Sequence, residues 1–433
     1  MILINNANVI SMKSRKIDEN QSLLIEDGLI QAIKNASFMP ETDCTVIDAS
    51  GLYVMPGLVN MHVHLGDNPD DLPLYLANGV TTIRNMWGHE GFKPGQYLFG
   101  TRVFHHLRLK RQIEEGSVIG PDIYTPGAML DGDPPFFPKF MNVKAVKNTD
   151  QIRRIILTQA EKGYDFIKIY SKLSLENFDD IMRIAKEYKM PVAGHVPDAV
   201  GLKHALESRM RSVEHLFGFV NPYSPEKNLN DEQIREMAEL AASKHVWNCP
   251  TLVASERLAN VEKQADFEKE EALAYVPERN KRAMRFLISE AKKVFEKAGL
   301  TDQQAYMEKL FFIVRQLQSA GAQMLLGTDK SVPYVVAGFS EHMEMELLAH
   351  AGLSNYEILR AATVNAAECL GKESQIGTVE TGKKANLIIT CENPLENLKT
   401  LSGHCGVIKS GVYYSRETCN QMLEDIKKRA SVK

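Results

Sequence analysis

Hydrophobic positions recur along this chain in two rhythms. Near both ends, apolar and polar residues alternate in short stretches. They are MILINNANVI, SLLIEDGLIQAI and TVIDASGLYVMPG at the start, with GTVETGKKANLIIT and HCGVIKSGVYYS near the other end. A period of two predicts strands with one buried face, and the EDG step inside the second stretch reads as a hairpin turn. Strand groups this small do not hold a core alone. The two ends are therefore expected to pair as one composite β-sandwich of residues 1–56 plus 376–433, finished by a helical tail, RETCNQMLEDIKKRASVK.

Across residues 57–375 the rhythm changes. Short apolar runs alternate with longer stretches of helical period such as TDQIRRIILTQAEKG and SLENFDDIMRIAKEYKM. The runs are GLVNMHVHLG, GVTTIRNM (79–86), PDIYTPG (121–127), DFIKIY (165–170), PVAGHV (191–196), RSVEHL (211–216), HVWNCPTL (245–252) and AQMLLGTD (322–329). Eight such units predict an α/β fold of the (β/α)8 TIM-like barrel kind. A doubly wound sheet is the alternative, but no glycine-rich phosphate loop follows the first strand. Residues 255–318 exceed a minimal barrel. They read either as a solvated helical excursion or as a lid over the barrel mouth.

Composition narrows the partners. At 433 residues, with 44% hydrophobic and 24% charged residues, the chain suits one large domain plus a smaller one. Lys+Arg 51 against Asp+Glu 55 leaves a net charge of -4, so no nucleic-acid partner is expected. No segment approaches the roughly 18–20 apolar residues of a membrane span, and the first residues do not read as a leader peptide. Six scattered cysteines without a CxxC pair point to reduced thiols and a cytoplasmic location. Barrel enzymes of this size often self-associate, so a homo-oligomer is expected.

Candidate chemistry lies at the run ends. His62 and His64, at i and i+2, point to one side of a strand and present two imidazoles to one place. His195, His215 and Asp329 end the fifth, sixth and eighth runs, where a barrel gathers its catalytic groups. Imidazoles and carboxylates suit zinc or a similar divalent ion. Each residue also has a plainer reading: His195 as a core histidine on a backbone carbonyl, His215 paired with Glu214, and Asp329 capping the next turn. Their joint order at strand ends favours the metal. Lys168, inside the apolar DFIKIY, needs a partner or a modification. It reads either as a salt bridge to Asp165 or Glu214, or as a carbamate bridging two metals.

The motifs VMPGLVNMHVHLG, GVTTIRN, DFIKIYS, AGHV, SVEHL, LGTD and LRAATVNAAECLGKESQIGTVETGKKANLII together resemble the amidohydrolase superfamily. Within it they are most similar to the imidazolonepropionase-like and metal-dependent prolidase-like branch. The resemblance spans nearly the whole chain and implies the same barrel with a terminal β-sandwich. It also implies one metal held by His62, His64, Lys168 (N6-carboxylated) and Asp329, and a second held by Lys168, His195 and His215. Some relatives use one ion. Three departures stand out: Asn85 and Asn386 where relatives have Asp, and GAMLDGDPPFFP after the third run, without the histidine-bearing glycine loop of several prolidase-like relatives.

The implied activity is hydrolysis of an amide-type C–N bond by metal-activated water in a small-molecule substrate, a dipeptide or N-acyl amino acid. Asp329 is expected to move the proton, with His195 or His215 near the carbonyl. Arg84 and Tyr170 are candidates for binding a substrate carboxylate or the oxyanion. Their plainer readings are an internal salt bridge and a packing tyrosine. Cyclic-amide opening, deamination, a lyase or isomerase reaction and a non-catalytic metal scaffold are the rivals.

Overall fold

The computed structural model describes the chain except residues 36–42, Asp67, 90–96, 99–100, 103–104, Tyr223, 298–301 and Lys433. The apolar runs form a parallel barrel. Leu58–Val63, Val80–Asn85 and Asp122–Tyr124 pair in that order. Ile167–Ile169, Val192–Gly194, Ser212–Glu214 and Trp247–Cys249 continue it. The third strand breaks after Tyr124 and resumes as Met129–Asp131, whose Leu130 pairs with Ile169. The Asp165 amide donates to the Thr125 carbonyl at 3.0 Å and ties the two sets together.

The eighth run departs from a regular strand. It closes the ring through isolated bridges, Asn248 with Met324 and Val63 with Lys330, and through the Met61 amide donating to the Leu326 carbonyl at 2.7 Å. Close approach explains why. A Cβ on Gly327 would lie 2.4 Å from Cys249 Sγ and 2.8 Å from His62 Cβ, so only glycine passes there. Helices cover the outside. Thr149–Lys162 starts where Asn148 accepts from the Gln151 amide and ends at left-handed Gly163. Leu175–Glu187 buries Phe178, Ile181, Ile184 and Ala185, the helical spacing of one face.

The two ends of the chain pair as expected, in one eight-stranded sheet. Ile2–Val9 pairs with Asp18–Glu26 on one edge, and with Thr45–Asp48 and Tyr53–Pro56 on the other. Tyr53–Pro56 joins the C-terminal strand Leu387–Thr390, which is followed by Gly406–Lys409 and Val412–Ser415. Ile4, Val54, Ile389 and Ile408 belong to this sheet's own core. Asn386 fastens the sheet to the barrel: its amide donates to Asp122 Oδ2 at 3.1 Å and accepts from the Ser410 amide at 2.9 Å. An aspartate at 386 would set a second carboxylate against Asp122. The tail is the helix Arg416–Val432, held by Arg429 on Asp70 Oδ1 at 2.7 Å.

One expectation about the cysteines is corrected. Cys391 and Cys405 form a disulfide, while Cys44, Cys249, Cys369 and Cys419 are free. The pair flanks adjacent antiparallel strands, where Ile389 faces Gly406, and pairing rather than sequence spacing brings the sulfurs together. The thiol argument for a reducing compartment therefore does not hold for this pair. Among the described residues no helix is long and apolar enough to cross a membrane.

The 255–318 stretch divides in two. Gln303–Ser319 is a barrel helix whose Leu310, Ile313, Val314 and Leu317 enter the main core. Before it, Phe267, Leu273, Val276 and Ile288 form a separate cluster with Tyr334 and Val336, beyond Asp329. Residues 298–301 of this stretch lie outside the described residues.

Candidate active site

Strand ends place the sequence-predicted residues around one mouth. His62 is fully buried at the end of the first strand. Its Nδ1 lies 2.7 Å from Glu214 Oε2. An ionised carboxylate only accepts, so Nδ1 carries the proton and the Nε2 lone pair faces the other way. That Nε2 is buried, has no hydrogen-bond partner, and lies 3.6 Å from Asp329 Oδ1. His64 Nε2 approaches the same oxygen at 2.9 Å, and His215 Nδ1 is 3.8 Å from Asp329 Oδ2.

His195 and His215 stand beside this group, with ring centroids 4.9 Å apart. Ser171 Oγ lies 3.2 Å from His195 Nδ1, and Thr251 Oγ1 lies 2.7 Å from His215 Nδ1. These contacts replace the plainer readings, since His195 meets a hydroxyl and His215 does not pair with Glu214. Neither salt bridge offered for Lys168 forms. Asp165 is held by Lys110 at 2.8 Å and Glu214 by Arg84 at 2.8 Å, and Lys168 Nζ is buried without a partner. Burial lowers the Lys168 pKa to about 8, against the opposing pull of Glu214 and Asp329.

For Arg84 the internal salt bridge forms, and the substrate-binding alternative is corrected. Its side chain turns into the barrel instead of the mouth and is 2% exposed. The guanidinium donates to the Met61 carbonyl at 2.6 Å, Ser212 Oγ at 2.9 Å and Glu214 Oε1 at 2.8 Å. With those bonds made, it is unavailable to a substrate carboxylate. Tyr170 does reach the cavity, its ring centroid 4.0 Å from that of His195.

The protonation states suit metal ligation. Burial drives the His62 and His195 pKa values well below the ordinary imidazole range, and moves His215 to about 4. Burial opposes the charge of Asp329, yet the facing His215 and His64 hold its carboxyl below the usual range. Neutral imidazoles beside an ionised carboxylate are what a divalent ion needs. Among the described residues, two groupings bring three possible ligand atoms within 4.8 Å: His62 with His64 and Asp329, and His62 with Glu214 and Cys249. In the deeper one Glu214 is already engaged, by Arg84 at Oε1 and by His62 Nδ1 at Oε2. The mouth grouping keeps Nε2 of His62 buried and without a hydrogen-bond partner, beside an Asp329 oxygen that His64 Nε2 also faces at 2.9 Å, so it fits an ion.

The backbone is bent to build this mouth. His215, Thr251 and Asp329 have left-handed φ of 58°, 49° and 53°. Such conformations cost energy in non-glycine residues and collect at functional sites. Asn85 is a neutral clamp, accepting from the Leu65 amide at 3.0 Å and donating to the Trp87 carbonyl at 2.9 Å. Sequence reasoning missed Ser171 and Thr251, which carry no signal of their own. It also missed that Glu214 holds His62, although a carboxylate inside the apolar RSVEHL run was a usable signal.

Residues 53–413 match the Amidohydrolase family, and the chain belongs to it. It is thus a hydrolase of the class that acts on C–N amide bonds. Ochratoxinase of Aspergillus niger is 21% identical, with 88% of this chain and 79% of the relative covered. The 5-methylthioadenosine/S-adenosylhomocysteine deaminase of Thermoanaerobacter pseudethanolicus is 23% identical, covering 90% and 84%. Among solved structures, bottromycin amidohydrolase superposes with TM-score 0.77 at 24% identity, over 99% of this chain and 90% of that one. A Xaa-Pro dipeptidase with bound methionine gives 0.70 at 22%, over 96% and 99%. These superpositions establish the shared fold.

Proposed function

We propose that the protein hydrolyses an amide-type C–N bond in a small peptide-like or N-acyl substrate, at a centre of one or two divalent ions with zinc as the expected metal. The observation that carries this reading is the convergence of His62, His64 and Asp329, with buried ligand atoms left without hydrogen-bond partners. His62, His64 and Asp329 would hold the first ion, and His195 and His215 the second. Lys168 would join them as a carbamate: its neutral amine forms an N–C bond to carbon dioxide and releases one proton. The support for that step is a buried amine with no partner. A divalent ion held there would supply a water of lowered pKa, about 7 for a zinc-type ion, and a Lewis acid for the carbonyl.

The chain's own residues supply the rest. Asp329, ionised and facing three imidazoles, takes the proton from the attacking water and returns it to the leaving nitrogen. Glu214 fixes the His62 tautomer and thereby aims its lone pair. Ser171 and Thr251 orient His195 and His215. Tyr170 lines the cavity and is the remaining substrate-contact candidate. A cavity of about 200 Å³ suits a small molecule. The test is turnover of a panel of dipeptides, N-acyl amides and lactams, with and without a chelator. Open-chain amides should be cleaved, the chelator should stop it, and zinc should restore it. Failure of metal-replete protein to cleave any amide would overturn the reading.

A further inference from the structure

The cavity above the centre is walled by rings. Trp87 and Phe137 lie 4.9 Å apart between centroids, Phe137 and Tyr170 5.3 Å, and Tyr170 and His195 4.0 Å. His195 then stacks on Phe217 at 4.4 Å with 19° between the planes. The strip runs without a break from the loop after the second strand to the loop after the sixth. It is preformed: the Trp87 indole N–H donates to the Met141 carbonyl at 2.8 Å, and Asn85 holds the Trp87 carbonyl. Phe137 comes from the GAMLDGDPPFFP segment, just beyond the strand Met129–Asp131.

The charges around the cavity are as informative. Apart from His64, Lys168, His195 and His215, the described residues lining it include no lysine, arginine or histidine. Asp329 already contributes a carboxylate there, and Arg84 is bound up inside the barrel. With Lys168 carbamylated and the ions engaged at the scissile carbonyl, a substrate carboxylate lying along the aromatic wall would lose its water without meeting a further cation among the described residues, which is costly. An aromatic ring would gain offset and edge contacts along the wall. A cavity of about 150 Å³ accommodates benzene, so the about 200 Å³ here admits one ring beside an amide.

We infer that the substrate is a neutral amide with an aromatic group flanking the scissile bond, recognised by the Trp87–Phe137–Tyr170 wall and carrying no carboxylate at that end. The inference rests on the amide-hydrolysis reading above but is tested apart from it. Four probes separate ring from charge: N-acetyl-2-phenylethylamine, N-acetylphenylalanine, N-acetylpentylamine and N-acetylnorleucine. The neutral aromatic amide should lead in kcat/KM by roughly tenfold or more, and Phe137→Leu should bring the aromatic-to-aliphatic ratio towards parity.

Binding gives a second readout. The chain has 2 tryptophans, so Trp247→Phe leaves Trp87 as the sole indole emitter. Its fluorescence should respond to the neutral aromatic amide at lower concentration than to N-acetylphenylalanine. If binding ranks as stated but no probe is cleaved, the hydrolysis reading fails and the recognition stands. Preference for the carboxylates, an equal effect of Phe137→Leu on ring and chain, or no Trp87 response to the neutral aromatic amide would each overturn the inference.

Discussion

Two polar clusters are buried in the barrel, and His62 belongs to both. Inside, Arg84 donates to the Met61 carbonyl, Ser212 and Glu214, and Glu214 also receives His62 Nδ1, so the charges are matched. Burial opposes the Glu214 charge, but Arg84 and His62 outweigh it and hold the carboxyl far below its usual range. At the mouth, His62 Nε2 and Lys168 Nζ are equally buried and have no hydrogen-bond partner, while Asp329 Oδ1 faces the imidazoles of His64 at 2.9 Å and His62 at 3.6 Å. Buried polar groups in native proteins are normally satisfied. The inner cluster is satisfied by the chain itself, which marks it as structural. The mouth leaves ligand atoms that a divalent ion would satisfy.

Breaking each cluster should therefore have opposite consequences. Asp329→Asn is the largest effect on activity: kcat should fall by roughly 10³–10⁴-fold, with thermal stability nearly unchanged. Glu214→Ala reverses the pattern. It strands Arg84 as an unpaired buried charge, so denaturant melts should show a loss of about 3–5 kcal/mol. It also frees the His62 tautomer, and metal titration should show affinity roughly 10–100-fold weaker. Gly327→Ala forces a methyl against Cys249 and His62, and should cost about 1–3 kcal/mol by overpacking.

The smallest effect concerns Glu341, behind the first strand. Burial pushes its carboxyl up to about 7, although Asn60 donates to it at 2.6 Å. Burial likewise raises Glu344 to about 8, despite the Leu252 and Val253 amides it accepts. Raised carboxyl values mean that the folded chain holds more protons than the unfolded one. Stability should then fall as pH rises from about 4.5 towards 8. Glu341→Gln should remove part of that slope, on the order of 1–2 kcal/mol at pH 8 by chemical denaturation.

What the sequence revealed, and what it hid, follows from the same contrast. The barrel strands and both terminal β segments were legible because their periods record burial. The grouping of His62, His64 and Asp329 was legible because strand ends in a barrel converge. Arg84 stayed undecided between a substrate contact and the internal salt bridge it makes, because residue type does not tell whether a strand side chain ends in the interior or at the mouth. The role of Glu214 depends on contacts across 152 positions of sequence, which local spacing does not encode. The Cys391–Cys405 bond depends on strand register in the terminal sheet. The eighth segment looked like a strand because it is apolar, while close packing at Gly327 limits it to isolated bridges.

The claim that the mouth is completed by metal is tested most directly by metal analysis and peptide mass mapping of protein prepared with zinc and bicarbonate. The account predicts nearly two ions per chain and a carboxylated Lys168, with metal lost in a His62→Ala, His64→Ala variant. A chain that retains no divalent ion and carries unmodified Lys168 would contradict it.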